Sequence, residues 1–199
     1  MNPVLRVSCL DGHLRTTCGT LRRGVALLAL AALTACSPVM DWREVSLPET
    51  PLRAQLPCRP GTFQRDVVVA GSALKLFMLS CEAGGVTFGV ASADVADPTH
   101  VDAVLAGLAD AARHALRGAR GDFVAFDLPG GTPFRGTTRA RLRGDRPDGV
   151  PVDESLRLFA RGTRVYQVSA VGASLDAAAL APFEDGLRFD LEKSNADPR

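Results

Sequence analysis

The sequence predicts an α+β domain in which one long and one shorter helix cover an antiparallel sheet of about six to eight strands. Three observations lead to this prediction. Short β-rich segments separated by glycine and proline fill residues 52–93, the spacing of apolar residues then changes from two to about 3.6, and strand-like segments return after Gly118. Strands, a long helix, more strands and a final helix are typical of helices packed on an antiparallel sheet.

Four strand segments precede the long helix. Turn-forming pairs separate them at Pro60-Gly61, Gly71-Ser72 and Gly84-Gly85. Because such short connections join neighbouring strands as hairpins, we expect these strands to be antiparallel. They span residues 52–58, 66–70, 74–81 and 86–93.

The long helix is predicted to begin at Asp97-Pro98, where an N-cap residue is followed by proline at the first helical position. Gly118 ends the pattern. Between them, apolar residues recur every three or four positions and so share one helix face. These residues are Val101, Val104, Leu105, Leu108, Ala112, Ala115 and Leu116.

The second half of the chain returns to strand signals and ends in a shorter helix. This helix is predicted from the capping residue Ser174, with an interruption or kink at Pro182. The predicted domain covers residues 50–191, and a frayed polar tail follows at 192–199. The strand segments lie at residues 122–128, 134–143, 155–160 and 164–171, with glycine- and proline-rich breaks at 129–131 and 144–151.

The first 35 residues have the features of a targeting segment. Arg22 and Arg23 precede an apolar run at residues 24–32, which is too short to span a bilayer, since a span takes about 20 apolar residues. The following Leu33-Thr34-Ala35-Cys36 resembles the lipobox of bacterial lipoproteins. The resemblance implies a signal peptide at 1–35 that is cut after Ala35, and a diacylglyceryl group on the Cys36 sulfur.

The alternative is an ordinary signal peptide that ends near a cysteine. Residues 1–20 are long and polar for this role, which is consistent with an over-extended start.

The lipoprotein resemblance also implies a location. Two or more acyl chains hold a protein stably on a membrane. Ser37, rather than aspartate, after the lipidated cysteine implies the outer membrane, facing the periplasm. Residues 36–49 are then predicted as a lipidated tether. Its Trp42 has two interpretations, at the lipid interface or docked on the domain.

Cys58 and Cys81 are the two cysteines that remain after Cys36. Disulfides persist in an exported protein. A bridge between these two cysteines would close a loop and stabilise the folded state by roughly 3 kcal/mol in the chain-entropy model. We therefore predict a disulfide. A pair of free buried thiols or metal ligands is the alternative, although no CxxC or HxxxH spacing accompanies them.

The order of elements, together with particular residues, resembles the PsbP-like fold group, which includes small envelope lipoproteins of the DcrB type. The resemblance rests on Leu56-Pro57, on the helix after Asp97-Pro98, and on the closing segments at residues 158–168 and 183–189. It covers about residues 48–190. It implies a PsbP-like sandwich, but it carries over no catalytic residue, since members serve as photosystem accessory factors, envelope proteins or secretion chaperones.

Few residues in the predicted domain suggest catalysis. His100 and His114 stand 14 positions apart, Ser72 lies in a predicted hairpin turn, and no phosphate-binding glycine motif is present. The carboxylate pairs Asp153-Glu154 and Glu184-Asp185 could serve glycoside hydrolysis only if folding brought one acid from each pair together. We predict no catalytic residue, cofactor or metal, and interpret both pairs as solvated turns.

An unusual arginine pattern lies in the segment 134–143. Side chains alternate along a strand, so Arg135, Arg139, Arg141 and Arg143 would share one face. One interpretation is a charge ladder with Asp122, Asp127 or Asp153 on adjacent strands, worth about 0.2 to 1 kcal/mol per pair. The other is a site for an anionic envelope component, namely phospholipid headgroups, lipopolysaccharide phosphate or a peptidoglycan carboxylate.

Two functional hypotheses follow from these observations. The first is a non-enzymatic envelope module, anchored to the membrane through Cys36, that binds a protein, lipid or cell-wall partner. The second is a periplasmic hydrolase, which a deep cavity joining His100 or His114 to a buried carboxylate would favour. From Cys36 onward the chain carries 19 basic and 21 acidic side chains, a formal charge of about −2. This charge argues against nucleic acid as a partner.

Overall fold

The computed structural model describes residues 39–190 and shows the predicted α+β fold. The predicted signal peptide, the lipidation site Cys36 and the tail at 192–199 lie outside the described residues. Within 39–190, no helix is long and apolar enough to cross a membrane. The two helices are α1 (Val101–Ala115), preceded by a 3₁₀ turn at Pro98–His100, and α2 (Ala177–Asp185).

Eleven strands are described between residues 39 and 190. They are β1 (Arg43–Ser46), β2 (Leu52–Leu56), β3 (Gly61–Val69), β4 (Ser72–Ala83), β5 (Val86–Asp94), β6 (Arg117–Arg120), β7 (Phe123–Ala125), β8 (Thr138–Asp145), β9 (Pro151–Arg161), β10 (Arg164–Gly172) and β11 (Arg188–Phe189).

These strands form an eight-stranded sheet and a three-stranded sheet. The large sheet has the order β3-β4-β5-β10-β9-β8-β6, with β7 also pairing to β8, and the small sheet has the order β1-β2-β11. Every pair is antiparallel, as predicted. At the β3–β4 turn the backbone of Gly71 adopts a φ of 80°, which glycine adopts without a Cβ penalty.

Helix α1 covers one face of the large sheet. The Asp97 carboxylate accepts a hydrogen bond from the Thr99 backbone N–H (2.8 Å) and so caps the turn that leads into the helix. The buried core on this face is aliphatic: Leu74, Ala93, Val95, Val101, Val104, Leu105, Ala112, Leu116, Ala140, Leu142, Val152, Leu156, Leu158, Ala160 and Val165.

The small sheet and α2 cover the middle of the other face, where the core is rich in aromatic residues. Phe159 stacks on Tyr166, with ring centroids 5.2 Å apart, and both rings meet Phe189 edge to face. Phe88 contacts Phe183 of α2 in the same way, at 5.2 Å. Residues far apart in sequence therefore assemble this second core.

The segment predicted as a tether contains the first strand of the fold. Residues 43–46 pair with β2 as β1, and Leu47 is buried beside them. Trp42 packs edge to face on Phe88 at 6.1 Å, in agreement with the docked interpretation of this residue. Half-buried Val45 and buried Leu47, two positions apart, both pack against the aromatic core, which explains why this segment joins the domain.

The bounds of several other strands differ from the prediction. Exposed polar residues extend some strands, and a turn shifts the start of another. Strand β3 begins at Gly61 and β9 at Pro151, both earlier than predicted. Helix α2 is capped by Asp176, whose carboxylate accepts from the Ala178 N–H (3.1 Å), and it continues through Pro182. Cys58 and Cys81 form the predicted disulfide, with sulfur atoms 2.09 Å apart, which joins the β2–β3 connection to β4.

Candidate anion-binding cleft

Strand β8 presents three arginines, not four, on the face opposite α1. Ala140 and Leu142 point into the core beneath α1, while Arg139, Arg141 and Arg143 are exposed on the other face. We define these three residues as the arginine row. They share this face with α2 and the small sheet.

Arg135 does not belong to the row, which corrects the sequence prediction. It lies in a turn before β8, beside Asp110 and Arg113 of α1. The turn is held to α1 because the Gly136 N–H donates to the Asp102 carboxylate at 2.9 Å. A Cβ at Gly136 would lie 2.6 Å from the Leu105 Cβ, so only glycine allows this close approach. The strand therefore begins at residue 138 rather than 134.

Asp153 is the partner of Arg143. The two residues are directly opposite on β8 and β9, and the guanidinium donates two hydrogen bonds to the carboxylate at 2.6 and 3.0 Å. The hydrogen bond from Arg143 holds the pKa of Asp153 below its ordinary value. This pair confirms one member of the predicted charge ladder. Asp122 and Asp127 form no ion pair with any arginine in the part of the chain that the structure describes.

Glu184 of α2 is the second acidic partner, and sequence reasoning missed it. Its carboxylate accepts from Arg141 Nη2 (2.6 Å), from Ser155 Oγ (2.6 Å) and from Arg157 Nη2 (3.2 Å). Arg157 also donates to the Glu184 backbone carbonyl. Burial lowers the pKa of the Arg157 guanidinium, and the negative charge of Glu184 opposes this effect. Glu184 is 43 residues from Arg141 in the chain, so no local pattern indicates the contact.

Arg139 has no acidic partner among residues 39–190. It is directly opposite Arg157 on β9, and no described carboxylate lies within ion-pair distance of its guanidinium. Like charges directly opposite in a sheet are destabilising. The side chain is exposed and lines a cleft of about 340 Å³ between β7 and α2, together with Asp122, Val124, Arg141, Arg157 and Glu184. The cleft therefore holds three guanidinium groups and two carboxylates.

The other candidate residues do not form a catalytic arrangement with this cleft. His100 is exposed at the start of α1, and exposed His114 contacts the Asp110 backbone carbonyl through Nδ1 at 2.7 Å. Neither histidine forms an ion pair with a carboxylate in the described segment. Ser72 lies at the start of β4, beside the hairpin turn. Residues 39–190 also contain no group of three or more histidine, cysteine or acidic residues that could hold a metal ion.

The two adjacent carboxylate pairs are each divided by the fold. Asp153 and Glu184 lie on the arginine face, and both bind arginine. Glu154 follows Asp153 along the strand and points to the opposite face, where it is 7% exposed. Burial raises the pKa of Glu154 to about 7. The prediction of solvated turns is therefore wrong for Asp153, Glu154 and Glu184, since β9 and α2 place them on or inside the packed domain.

Comparisons with known proteins add little to this geometry. No protein-family model and no curated protein matches the chain. Among solved structures, the chain is similar to the crystal structure of PA94 from Pseudomonas aeruginosa, a protein of unknown function. The two are 14% identical, with a TM-score of 0.38, over 79% of this chain and 97% of the other. At this level the likeness transfers no function.

Proposed function

We propose that this chain is a membrane-anchored lipoprotein of the bacterial cell envelope that acts as a non-enzymatic binding module for an anionic envelope component. The anchor is Cys36, and the location is the outer membrane, facing the periplasm. The binding site is the cleft beside Arg139. One observation carries the binding proposal: Arg139 is opposite Arg157 and has no carboxylate partner within residues 39–190.

The remaining charges of the cleft support an anion as the ligand. Arg157 is largely buried, with a side-chain exposure of 14%, and it is fixed by Glu184. Arg139 is directly opposite this fixed charge, so an anion bound between the two guanidinium groups would replace a repulsion by two attractions. Planar guanidinium groups bind carboxylate and phosphate through paired hydrogen bonds.

Sedimentation of the protein from Ser37 onward, which lacks the lipid, tests the binding site. We expect retention on anionic liposomes or on purified cell wall, weakening as salt is raised because salt screens exposed charges. Arg139→Gln should abolish this retention without lowering thermal stability, since it removes a like-charge pair with Arg157. Arg143→Gln is the matched control: its guanidinium is bound to Asp153, so retention should persist while thermal stability falls slightly.

The two materials separate the sources of the anion. Retention on liposomes alone indicates a phospholipid headgroup, and retention on cell wall alone indicates a peptidoglycan carboxylate. The absence of retention on both materials at low salt would contradict anion binding. The arginine row would then serve only to stabilise the fold.

The anchor is tested by Cys36→Ser. Serine cannot accept the diacylglyceryl group, so we expect an unprocessed precursor in place of a lipidated mature protein. The measurement is the mass of the protein recovered from membrane fractions. A Cys36→Ser protein that is still cut after Ala35 and remains with the membranes would contradict the lipoprotein assignment.

A further inference from the structure

A second cleft lies on the same sheet face as the arginine row, but over different strands. It has a volume of about 460 Å³ and lies over β3, β4, β5 and β10, where the turn at Pro48 and Glu49 meets the large sheet. Ligand pockets generally measure about 300 to 1,000 Å³, so this volume suits a small molecule. Its lining includes Gln64, Lys75, Phe77, Ser92, Asp94 and Arg164.

The sheet register places these side chains on one face. Ser92 is directly opposite Phe77 on β4 and Tyr166 on β10, and Gln64 is directly opposite Phe77 on β3. Directly opposite residues of antiparallel strands point to the same side of the sheet. Lys75 is two positions before Phe77 and therefore points to this side as well.

Ser92 is the least satisfied polar group of the cleft. The residue is 2% exposed, and its hydroxyl has no hydrogen-bond partner in the described part of the chain. A buried hydroxyl without a partner is destabilising, so native proteins rarely retain one without a reason. A ligand with a hydrogen-bonding group at this position would supply the missing partner.

Two exposed charges of opposite sign in the cleft form no ion pair with any described residue. Neither the Lys75 ammonium nor the Glu49 carboxylate lies within ion-pair distance of an opposite charge among residues 39–190. Asp94, by contrast, is occupied: it accepts hydrogen bonds from the Ala96 N–H and the Thr163 hydroxyl, both at 2.8 Å, and faces Arg164 at 3.7 Å. Asp66, directly opposite Lys75 on β3, lies outside the lining of the cleft and forms no ion pair with Lys75 in the described chain, so the unpaired charges of the lining are Lys75 and Glu49.

From this arrangement we infer that the cleft binds a small zwitterion of the amino-acid type, a free amino acid or a short peptide. The ligand carboxylate binds Lys75, beside Arg164, which is paired with Asp94, and the ligand ammonium binds Glu49. The Phe77 ring forms an apolar wall for a ligand side chain. A simple anion would meet Glu49 and Asp94, and a simple cation would meet Lys75 and Arg164, so neither is matched as well as a zwitterion. This site is independent of the anion-binding cleft beside Arg139.

Titration calorimetry of the full chain in detergent micelles tests the inference with the dipeptide alanylphenylalanine as the probe. Its N-acetyl derivative lacks the ammonium, and its C-terminal amide lacks the carboxylate. We expect the dipeptide to bind, and each derivative to bind at least tenfold more weakly. Lys75→Gln and Glu49→Gln should each lower the affinity for the dipeptide at least tenfold. Because both residues are exposed, the fold should persist in both variants.

Arg139→Gln is the matched control, since it removes a cation from the other cleft and should leave dipeptide binding unchanged. Ser92→Ala should weaken binding without loss of stability, because the hydroxyl has no partner to lose. Three results would overturn the inference: no heat with millimolar dipeptide, equal affinity for the dipeptide and its two derivatives, or unchanged affinity in both Lys75→Gln and Glu49→Gln. None of these results bears on retention by anionic materials, so the two proposals fail separately.

Discussion

The two faces of the eight-stranded sheet are closed in different ways. Helix α1 lies over one face and seals an aliphatic core, in which Glu154 is the buried charged residue. On the other face the small sheet and α2 cover an aromatic centre, and polar side chains line clefts beyond it. Both faces stabilise the fold, and the clefts beside Arg139 and Ser92 lie on the partly covered face. The difference shows that the packing of the elements over a strand decides whether its alternating side chains enter a closed core or line a cleft.

The largest expected effect comes from breaking either core. Leu158 and Phe159 are neighbours on β9, both at most 1% exposed, and they point to opposite faces of the sheet. Leu158→Ala should cost about 2 to 5 kcal/mol and Phe159→Ala about 3 to 5 kcal/mol in the free energy of unfolding. Urea unfolding measures both. A loss below about 1 kcal/mol in one variant would show that its face is not a packed core.

The disulfide is the next largest contribution, and it belongs to the partly covered face, where Cys81 packs against the aromatic core. Replacing Cys58 and Cys81 with serine together should lower the free energy of unfolding by about 3 kcal/mol, because the unfolded chain gains freedom. Non-reducing peptide mapping should join the two cysteines. Quantitative alkylation of both thiols in natively purified protein would exclude the bridge.

The buried carboxyl of Glu154, on the face covered by α1, makes the free energy of unfolding depend on pH. The pKa of this carboxyl is raised from 4.5 to about 7 by burial, so the folded state holds a proton that the unfolded state has already released between these values. The free energy of unfolding should therefore fall as pH rises from 4.5 to 7, by an amount on the order of 3 kcal/mol.

Glu154→Gln should remove this loss, since glutamine resembles the protonated acid and stays neutral. The difference in stability between variant and wild type, measured by urea unfolding from pH 4.5 to 8, should grow as pH rises. Parallel curves for the two proteins would mean that Glu154 ionises as freely in the folded state as in the unfolded chain.

The sequence predicted the face covered by α1 better than the opposite face, for a physical reason. Apolar spacing and the Asp97-Pro98 start are local signals, and the helix forms close to the predicted position, at Val101–Ala115. The fold class and the antiparallel pairing follow from equally local turn signals. Strand β1 was missed because its four residues gain stability only by packing on β2 and the core.

In the candidate site too, local sequence patterns predicted some contacts, whereas contacts that form only in the tertiary fold were missed. Strand alternation placed Arg139, Arg141 and Arg143 on one face, and Asp153 was found because it lies on the adjacent strand. Arg135 was misplaced because the docking of Gly136 on Leu105 is a tertiary contact. Glu184 was missed for the same reason, since its contact with Arg141 forms only when α2 packs over the sheet.

Glu184 neutralises two arginines of the proposed anion-binding cleft, and Glu184→Gln tests this role most directly. The variant frees Arg141 and Arg157 from their carboxylate, so we predict several-fold stronger retention on the anionic material that retains the wild type, with a loss of about 1 to 3 kcal/mol in stability. Asp110→Asn is the matched control, because it changes the net charge equally at an exposed residue of α1, on the other face of the sheet, without an ion pair in the described chain. It should leave retention unchanged. Equal gains in both variants, or weaker retention in Glu184→Gln, would contradict the account.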